Sequence, residues 1–381
     1  MLEKNEIEDL IAIRHHIHQN PELSEQEFAT TAFLREKIEA LGIEILPSET
    51  LKTGFVAQIG SGKPVIALRA DIDALPILEK TKLDFSSENE GVMHACGHDM
   101  HMTSLLGAAK ILKSREQELQ GTVKLIFQPA EELGTGARDV LAAGLVSDVD
   151  AFFGYHNMPT LPAGVIGLRE KGVMAAVEQF DVTIIGQGSH AAYPHEGIDP
   201  ILATSAIVQN LQQIVSRNVP PLEAAVLSVT HVEAGNTWNV LPDTARFEGT
   251  IRTFDEKITA LTKQRFIEVV ENTARAFGVR ADIHWIMGSD ATYNDPELTA
   301  HLFDMTKKWH EATIVTEPSS AGEDFASYRR QAPSVFAFIG SNEVGASGLH
   351  FADMTLKDEA LSVAVEYYVH TAFAALDYLK K

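Results

Sequence analysis

Between residues 177 and 287 the chain carries a run of elements that closes on itself. Strand-like stretches at 177–185, 225–232, 245–254 and 281–287 alternate with helical periods at 200–217 and 258–277, the latter ended by Gly278. The order βαββαβ is that of the ferredoxin-like split unit. Both flanks have a different texture. Short runs rich in Val, Ile and Phe at 55–59, 65–68, 123–127 and 151–155 read as strands, with a helical stretch at 102–112 among them. An amphipathic helix through Leu10, Ile11, Arg14 and Ile17 and a second at 28–41, closed by Gly42, precede these strands. After Asp295-Pro296 come a helix at 298–309, a strand at 335–339 and a last helix through 367–379. The expected fold is therefore α/β: a discontinuous main domain, 1–176 and 290–381, with a mixed sheet flanked by helices. An α+β ferredoxin-like lid, 177–289, is inserted into it.

Composition narrows the functions open to such a fold. The 381 residues hold 31 Lys and Arg against 53 Asp and Glu, a formal charge of −22. That field repels nucleic-acid phosphates and anionic lipid, so neither nucleic acid nor membrane is an expected partner. No run approaches the ~20 apolar residues of a membrane span, and the opening MLEKNEIEDL is acidic where a signal peptide is basic. The single cysteine, Cys96, cannot form an internal disulfide. A cytoplasmic, soluble protein is expected.

Three of the expected strands run directly into residues that bind metal or move protons. The stretch 65–68 leads to Arg69, Asp71 and Asp73; 123–127 leads to Gln128, Glu131 and Glu132; 151–155 leads to His156. In open α/β sheets ligands bind beyond the carboxyl ends of the strands, so these side chains should converge. Just before a helix, residues 93–101 add His94, Cys96, His98 and His101, with Gly97 permitting a sharp turn. Thiolate, neutral imidazole and carboxylate are the donors that hold zinc-like ions. They exceed the needs of one ion, which favours two divalent metals acting together on a water and a carbonyl.

Five motifs carry a family resemblance: Arg69-Ala-Asp71-Ile-Asp73-Ala-Leu-Pro76, His94-Ala-Cys96-Gly-His98-Asp-Met-His101, Gln128-Pro-Ala-Glu131-Glu132, Gly188-Ser-His190-Ala-Ala-Tyr-Pro194 and Asn239-Val-Leu-Pro242. Over nearly its whole length the chain resembles the N-acyl-amino-acid amidohydrolase and hippurate hydrolase branch of the carboxypeptidase G-like dinuclear metallopeptidases. The plant auxin-conjugate hydrolases also belong to that family. The resemblance implies a metallopeptidase-like main domain with metal ligands at Cys96, His98, Glu132, His156 and His350, and Glu131 as general base. It implies that the insertion is the family's small lid or dimerisation-type domain, with homo-oligomer formation left open, and that His190 steadies the oxyanion. Other branches carry a His-x-Asp pair where this chain has Asp71-Ile72-Asp73. Asp71 and Asp73 are accordingly assigned to orienting a metal-bound imidazole or the base.

Asn239 and Arg252, near or on lid strands, are candidates for gripping a substrate carboxylate, which a planar guanidinium binds bidentately. Residues 321–324 could line the site or cap a helix. The expected reaction is hydrolysis of an N-acetyl or N-benzoyl type amino acid, a small molecule, to a carboxylic acid and a free amino acid, with two ions of Zn, Mn, Co or Ni. The alternatives are a metallo-dipeptidase or aminoacyl exopeptidase using the same metals, a cysteine hydrolase with Cys96 as nucleophile, and a non-catalytic metal-binding or sensory module.

Overall fold

The computed structural model describes residues 3–286 and 288–380. Met287, at which the expected fourth strand of the insertion ends, lies outside them. The chain forms two compact units: Met1–Lys171 with Tyr293–Glu317 and Asp324–Lys381, and Gly172–Thr292 with Pro318–Glu323. Where the sequence pattern puts the crossings near 176 and 290, the units change over at Gly172 and Tyr293. The stretch Pro318–Glu323 joins the second unit because Ala175 N–H donates to the Ser319 and Ala321 carbonyls (3.1 and 3.0 Å) and Met174 bridges Ser319.

The first unit is built on an eight-stranded mixed sheet in the order Glu44–Ile45, Phe55–Gly60, Thr122–Gln128, Val65–Asp71, Ala151–Pro162, Ser334–Asn342, Ile166–Leu168, Thr313–Val315. The four central strands run parallel. Val65–Asp71 and Thr122–Gln128 are buried at every position, as expected of parallel strands covered on both faces. The helices His98–Ser114 and Glu359–Leu379 pack on each other and on these strands, with Lys4–Gln19 outside the first of them. Leu68, Leu105, Leu106, Tyr155, Val365 and Tyr368 are among the residues of the resulting core.

The second unit holds a four-stranded antiparallel sheet in the order Ala225–Ala234, Thr244–Thr253, Ala176–Ile185, Arg280–Ile286. Alternate residues of Thr244–Thr253 are buried, the period-2 signature of a sheet covered on one face. Two helices supply the cover, placing Ile207, Leu211, Phe266 and Val270 against Phe180, Val182 and Phe247. Both start on an aspartate cap. Asp199 accepts from Ile201 and Leu202 N–H before Pro200–Gln213, and Asp255 from Lys257 and Ile258 N–H before Glu256–Phe277; such caps contribute about 1 kcal/mol each. Among the described residues no helix is long and apolar enough to cross a membrane.

Candidate active site

The parallel register sets the site. Asp71 lies beside Gln128 at the last paired position of their strands, and Ile72 N–H then donates to the Gln128 carbonyl at 2.9 Å. Both segments leave the sheet there, one carrying Asp73 and the other Glu131 and Glu132. On the other side of Val65–Asp71, Gly154 pairs with Arg69, which puts His156 just beyond. The expected strand stops at residue 155, whereas the observed one continues to Pro162. Its second half is held by parallel pairing with Ser334–Asn342, His156 standing opposite Phe338.

The cysteine loop reaches the same edge through Gly97, whose φ is +82°. A Cβ there would fall 2.3 Å from Asn157 Nδ2 and 2.8 Å from Leu356 Cδ1, so only glycine permits this approach. Asn157 Nδ2 donates to the Cys96 carbonyl at 2.6 Å. The helix begins directly at His98. His350 arrives from a remote loop in a left-handed conformation, φ +65°, its N–H donating to the Ala95 carbonyl at 2.9 Å.

All five expected ligands are thereby brought together. Cys96 Sγ lies 3.3 Å from His156 Nε2 and 3.3 Å from His350 Nε2. Glu132 Oε1 is 3.5 Å from His350 Nε2 and 3.9 Å from His98 Nε2. Two of the sets with ligand atoms within 4.8 Å of one another are Cys96, His98, His156 and Cys96, Glu132, His350. The donors fit metal ions in a way the protein alone does not satisfy. His98 Nε2 and Glu132 Oε1 are buried with no hydrogen-bond partner, a costly condition unless something else binds there. The imidazoles are preset: His98 Nδ1 donates to the Asp73 carbonyl (2.9 Å) and His156 Nδ1 to the Asn157 carbonyl (2.7 Å), so each turns its Nε2 inward.

Charge points the same way. Burial disfavours a charged His98, but Asp71, Asp73 and Glu132 outweigh it and lift the imidazole to about 10, so the acidic surroundings call for a positive charge at this point, which a metal ion would supply in place of the Nε2 proton. Burial, reinforced by Glu132, Glu131 and Asp71, pushes the Cys96 thiol well above its usual value. A thiolate forms here only with a cation beside it. Burial also holds His156 in its neutral, ligating form.

Around these donors lies a buried supporting layer. Asp71 receives the His101 Nδ1–H (2.6 Å) and the Arg69 guanidinium (2.7 Å). His101 Nε2 accepts from the Asn157 N–H at 2.9 Å, so both its nitrogens are engaged and it is no ligand. His94 is also buried, and burial lowers it to about 4, keeping it neutral. Asp324, read from sequence as lining or capping, bonds Arg69 Nη2 (2.8 Å), Gln128 Nε2 (2.8 Å) and Ala137 N–H (2.8 Å), and its own N–H reaches Glu131 Oε1 at 3.4 Å. Arg69 and Gln128 stood within the motifs. Their pairing with Asp324, 255 and 196 positions away, left no trace in the sequence.

His190, Asn239 and Arg252 belong to the second unit. His190 is on a two-residue strand paired with Val240–Leu241, its ring exposed. Nδ1 accepts the Ala192 N–H at 3.1 Å, which leaves the ring proton on Nε2. Asn239 is half-buried and accepts the Ala191 N–H at its backbone carbonyl, 3.1 Å. Arg252 is half-buried on Thr244–Thr253, bonds Thr250 Oγ1 and the Ile251 carbonyl, and has no carboxylate partner among the described residues.

Comparison with known proteins agrees with this geometry. The profile of peptidase family M20/M25/M40 matches residues 67–374. The chain is 46% identical over 370 residues to an N-acetyl-L-cysteine deacetylase of Bacillus subtilis, covering 97% of this chain and 88% of the relative. An N-acetylcysteine deacetylase of the same organism is 44% identical over 373 residues, covering 97% and 98%. Among solved structures, the YXEP protein of Bacillus subtilis, described as a dinuclear metal-binding peptidase of the M20 family, superposes with a TM-score of 0.89. It is 41% identical, over 98% of this chain and 99% of that one.

Proposed function

We propose, starting from the fact that this chain belongs to peptidase family M20/M25/M40, that it removes the acyl group from N-acyl amino acids bearing a free α-carboxylate. The protein is an amide-bond hydrolase with a centre for two divalent ions. Cys96, His98, Glu132, His156 and His350 hold the ions in this reading. When bound, the ions polarise the scissile carbonyl and make a water nucleophilic near neutral pH. A thiolate among the donors favours zinc, while manganese, cobalt and nickel suit the remaining donors.

The observation that carries the reading is the place of Glu131. Its Oε2 lies 4.0 Å from His98 Nε2, next to the ligand set, while the Asp324 N–H approaches its Oε1 at 3.4 Å. A carboxylate so placed can take a proton from the attacking water and deliver it to the departing amine. Asp71 and Asp73 orient the imidazoles of His101 and His98. From the second unit, His190 offers its Nε2–H to the developing oxyanion, and Asn239 and Arg252 receive the substrate carboxylate. The half-buried guanidinium, without a carboxylate partner among the described residues, supports that last role.

A nucleophilic Cys96 is disfavoured, because reactive thiols sit in electropositive surroundings and this one is ringed by carboxylates. Elemental analysis of the purified protein, run beside hydrolysis of N-acetyl and N-benzoyl amino acids and of dipeptides, tests the reading. Two divalent ions per chain and cleavage of the N-acyl substrates are expected. Cleavage of dipeptides alone would shift the assignment to a metallo-dipeptidase, and full activity in metal-free protein would overturn it.

A further inference from the structure

The backbone that presents Glu131 and Glu132 turns at a strained residue. Ala130 has φ +50°, a left-handed conformation that costs a residue with a Cβ about 1–2 kcal/mol. The turn is needed because in an extended chain two adjacent side chains point to opposite sides. One half of its support is local: the Ala130 carbonyl accepts the Gly136 N–H at 3.2 Å. A Cβ at Gly136 would stand 1.6 Å from the Pro129 carbonyl oxygen, so the contact requires glycine.

The other half comes from far away. Ala130 N–H donates at 2.8 Å to Glu27 Oε1, and Glu27 Oε2 accepts the Thr53 hydroxyl at 2.8 Å. Glu27 is wholly buried, directly before the helix Phe28–Ala40. An acid at that position ordinarily serves the helix N-terminus. Here Glu22 takes that task, its two oxygens accepting the Ala29 and Thr30 N–H groups at 3.1 and 2.7 Å. The Glu27 carboxylate is turned inward instead, with no cationic partner among the described residues. Burying a carboxylate among neutral donors is less favourable than burying an apolar side chain of the same size, so fold stability does not account for it.

We propose that Glu27 is a positioning residue: by accepting the Ala130 N–H it holds the turn that sends one glutamate to the metals as ligand and its neighbour to the water as base. The proposal rests on the roles given above to Glu131 and Glu132, and the experiment separates the two. Metal-free parent, Glu27→Met, Glu27→Asp, Glu27→Gln and Glu132→Gln are titrated with Zn²⁺ by calorimetry, with kcat, KM and thermal melting measured on the reloaded proteins. Glu27→Met fills the same space without an acceptor and should lose ~10-fold or more in zinc affinity and in kcat, with KM little changed. Glu27→Asp, one methylene too short, should show a milder loss in the same direction even if the methionine variant fails to fold. Glu27→Gln should stay near the parent, since its amide oxygen accepts the same N–H. Parental zinc affinity and kcat in both Glu27→Met and Glu27→Asp, with only melting lowered, would overturn the proposal, as would a Glu27→Gln variant as damaged as they are. If Glu132→Gln itself binds zinc like the parent, the ligand assignment beneath the proposal is what fails.

Discussion

Asp73 faces His98 with one carboxylate oxygen 3.2 Å from Nδ1, while that ring N–H donates to the Asp73 backbone carbonyl at 2.9 Å. The other carboxylate oxygen accepts the Ser24 hydroxyl (2.7 Å) and the Glu132 N–H (3.0 Å). One residue thus fixes the imidazole of one proposed ligand and the backbone of another. Asp73→Asn keeps the shape and removes the charge, so metal affinity should fall ~10- to 100-fold with the five donors intact. Calorimetric titration of metal-free protein reads this directly, and parental affinity would detach Asp73 from the centre.

Cys96 should behave as a ligand under chemical challenge. Cys96→Ala is expected to lower the bound metal as well as the turnover, and loading with Zn²⁺ should protect the parent thiol from alkylation. Mass spectrometry after iodoacetamide treatment, with and without chelator, measures the protection. Full metal occupancy in Cys96→Ala with activity abolished would return the cysteine to the role of nucleophile.

His190→Ala should depress kcat by ~10²-fold, the scale for losing one oxyanion donor, with metal content unchanged. Steady-state kinetics on an N-acetyl amino acid decides this. A rise in KM alone would make His190 a substrate-holding residue.

Stability should depend on pH through His18, whose ring is held by Asp99 and Glu79. Burial lowers its basicity and Arg14 opposes its charge, but Asp99 (3.0 Å) and Glu79 (3.3 Å) outweigh both and raise it to about 9. A raised folded-state value means that the stabilisation is complete below the unfolded value of roughly 6.5. It fades as pH rises toward about 9, a change on the order of 3 kcal/mol. The difference in melting temperature between the parent and His18→Gln should therefore be large near pH 6 and shrink by pH 9.5. A difference independent of pH would mean that the ring acts only by packing.

Much of this site could be read from the chain because its parts are local. Strands that end in Asp71 and Gln128 with Glu131 just beyond, a glycine between Cys96 and His98, and a βαββαβ run of neighbouring elements all leave contiguous patterns. The failures have a common cause in distant partners. The helix at His98 begins four residues before the expected 102, because His98 through Ala109 are buried on every side and show no amphipathic period. The strand through His156 outruns its apolar stretch since Ser334–Asn342 pairs with it. Glu27 directly precedes a helix, and Asp324 reads as lining the site or capping a helix, so nothing in their neighbourhoods announces Ala130 or Arg69.

Two adjacent glutamates are assigned different work, and Glu131→Gln tests that division. The substitution preserves size and removes the base. Measured on one preparation, kcat should fall by ~10² to 10⁴, with KM close to the parent and two divalent ions per chain still present by elemental analysis. Near-parental turnover, or loss of metal in step with loss of activity, would contradict the assignment of Glu131 as the base.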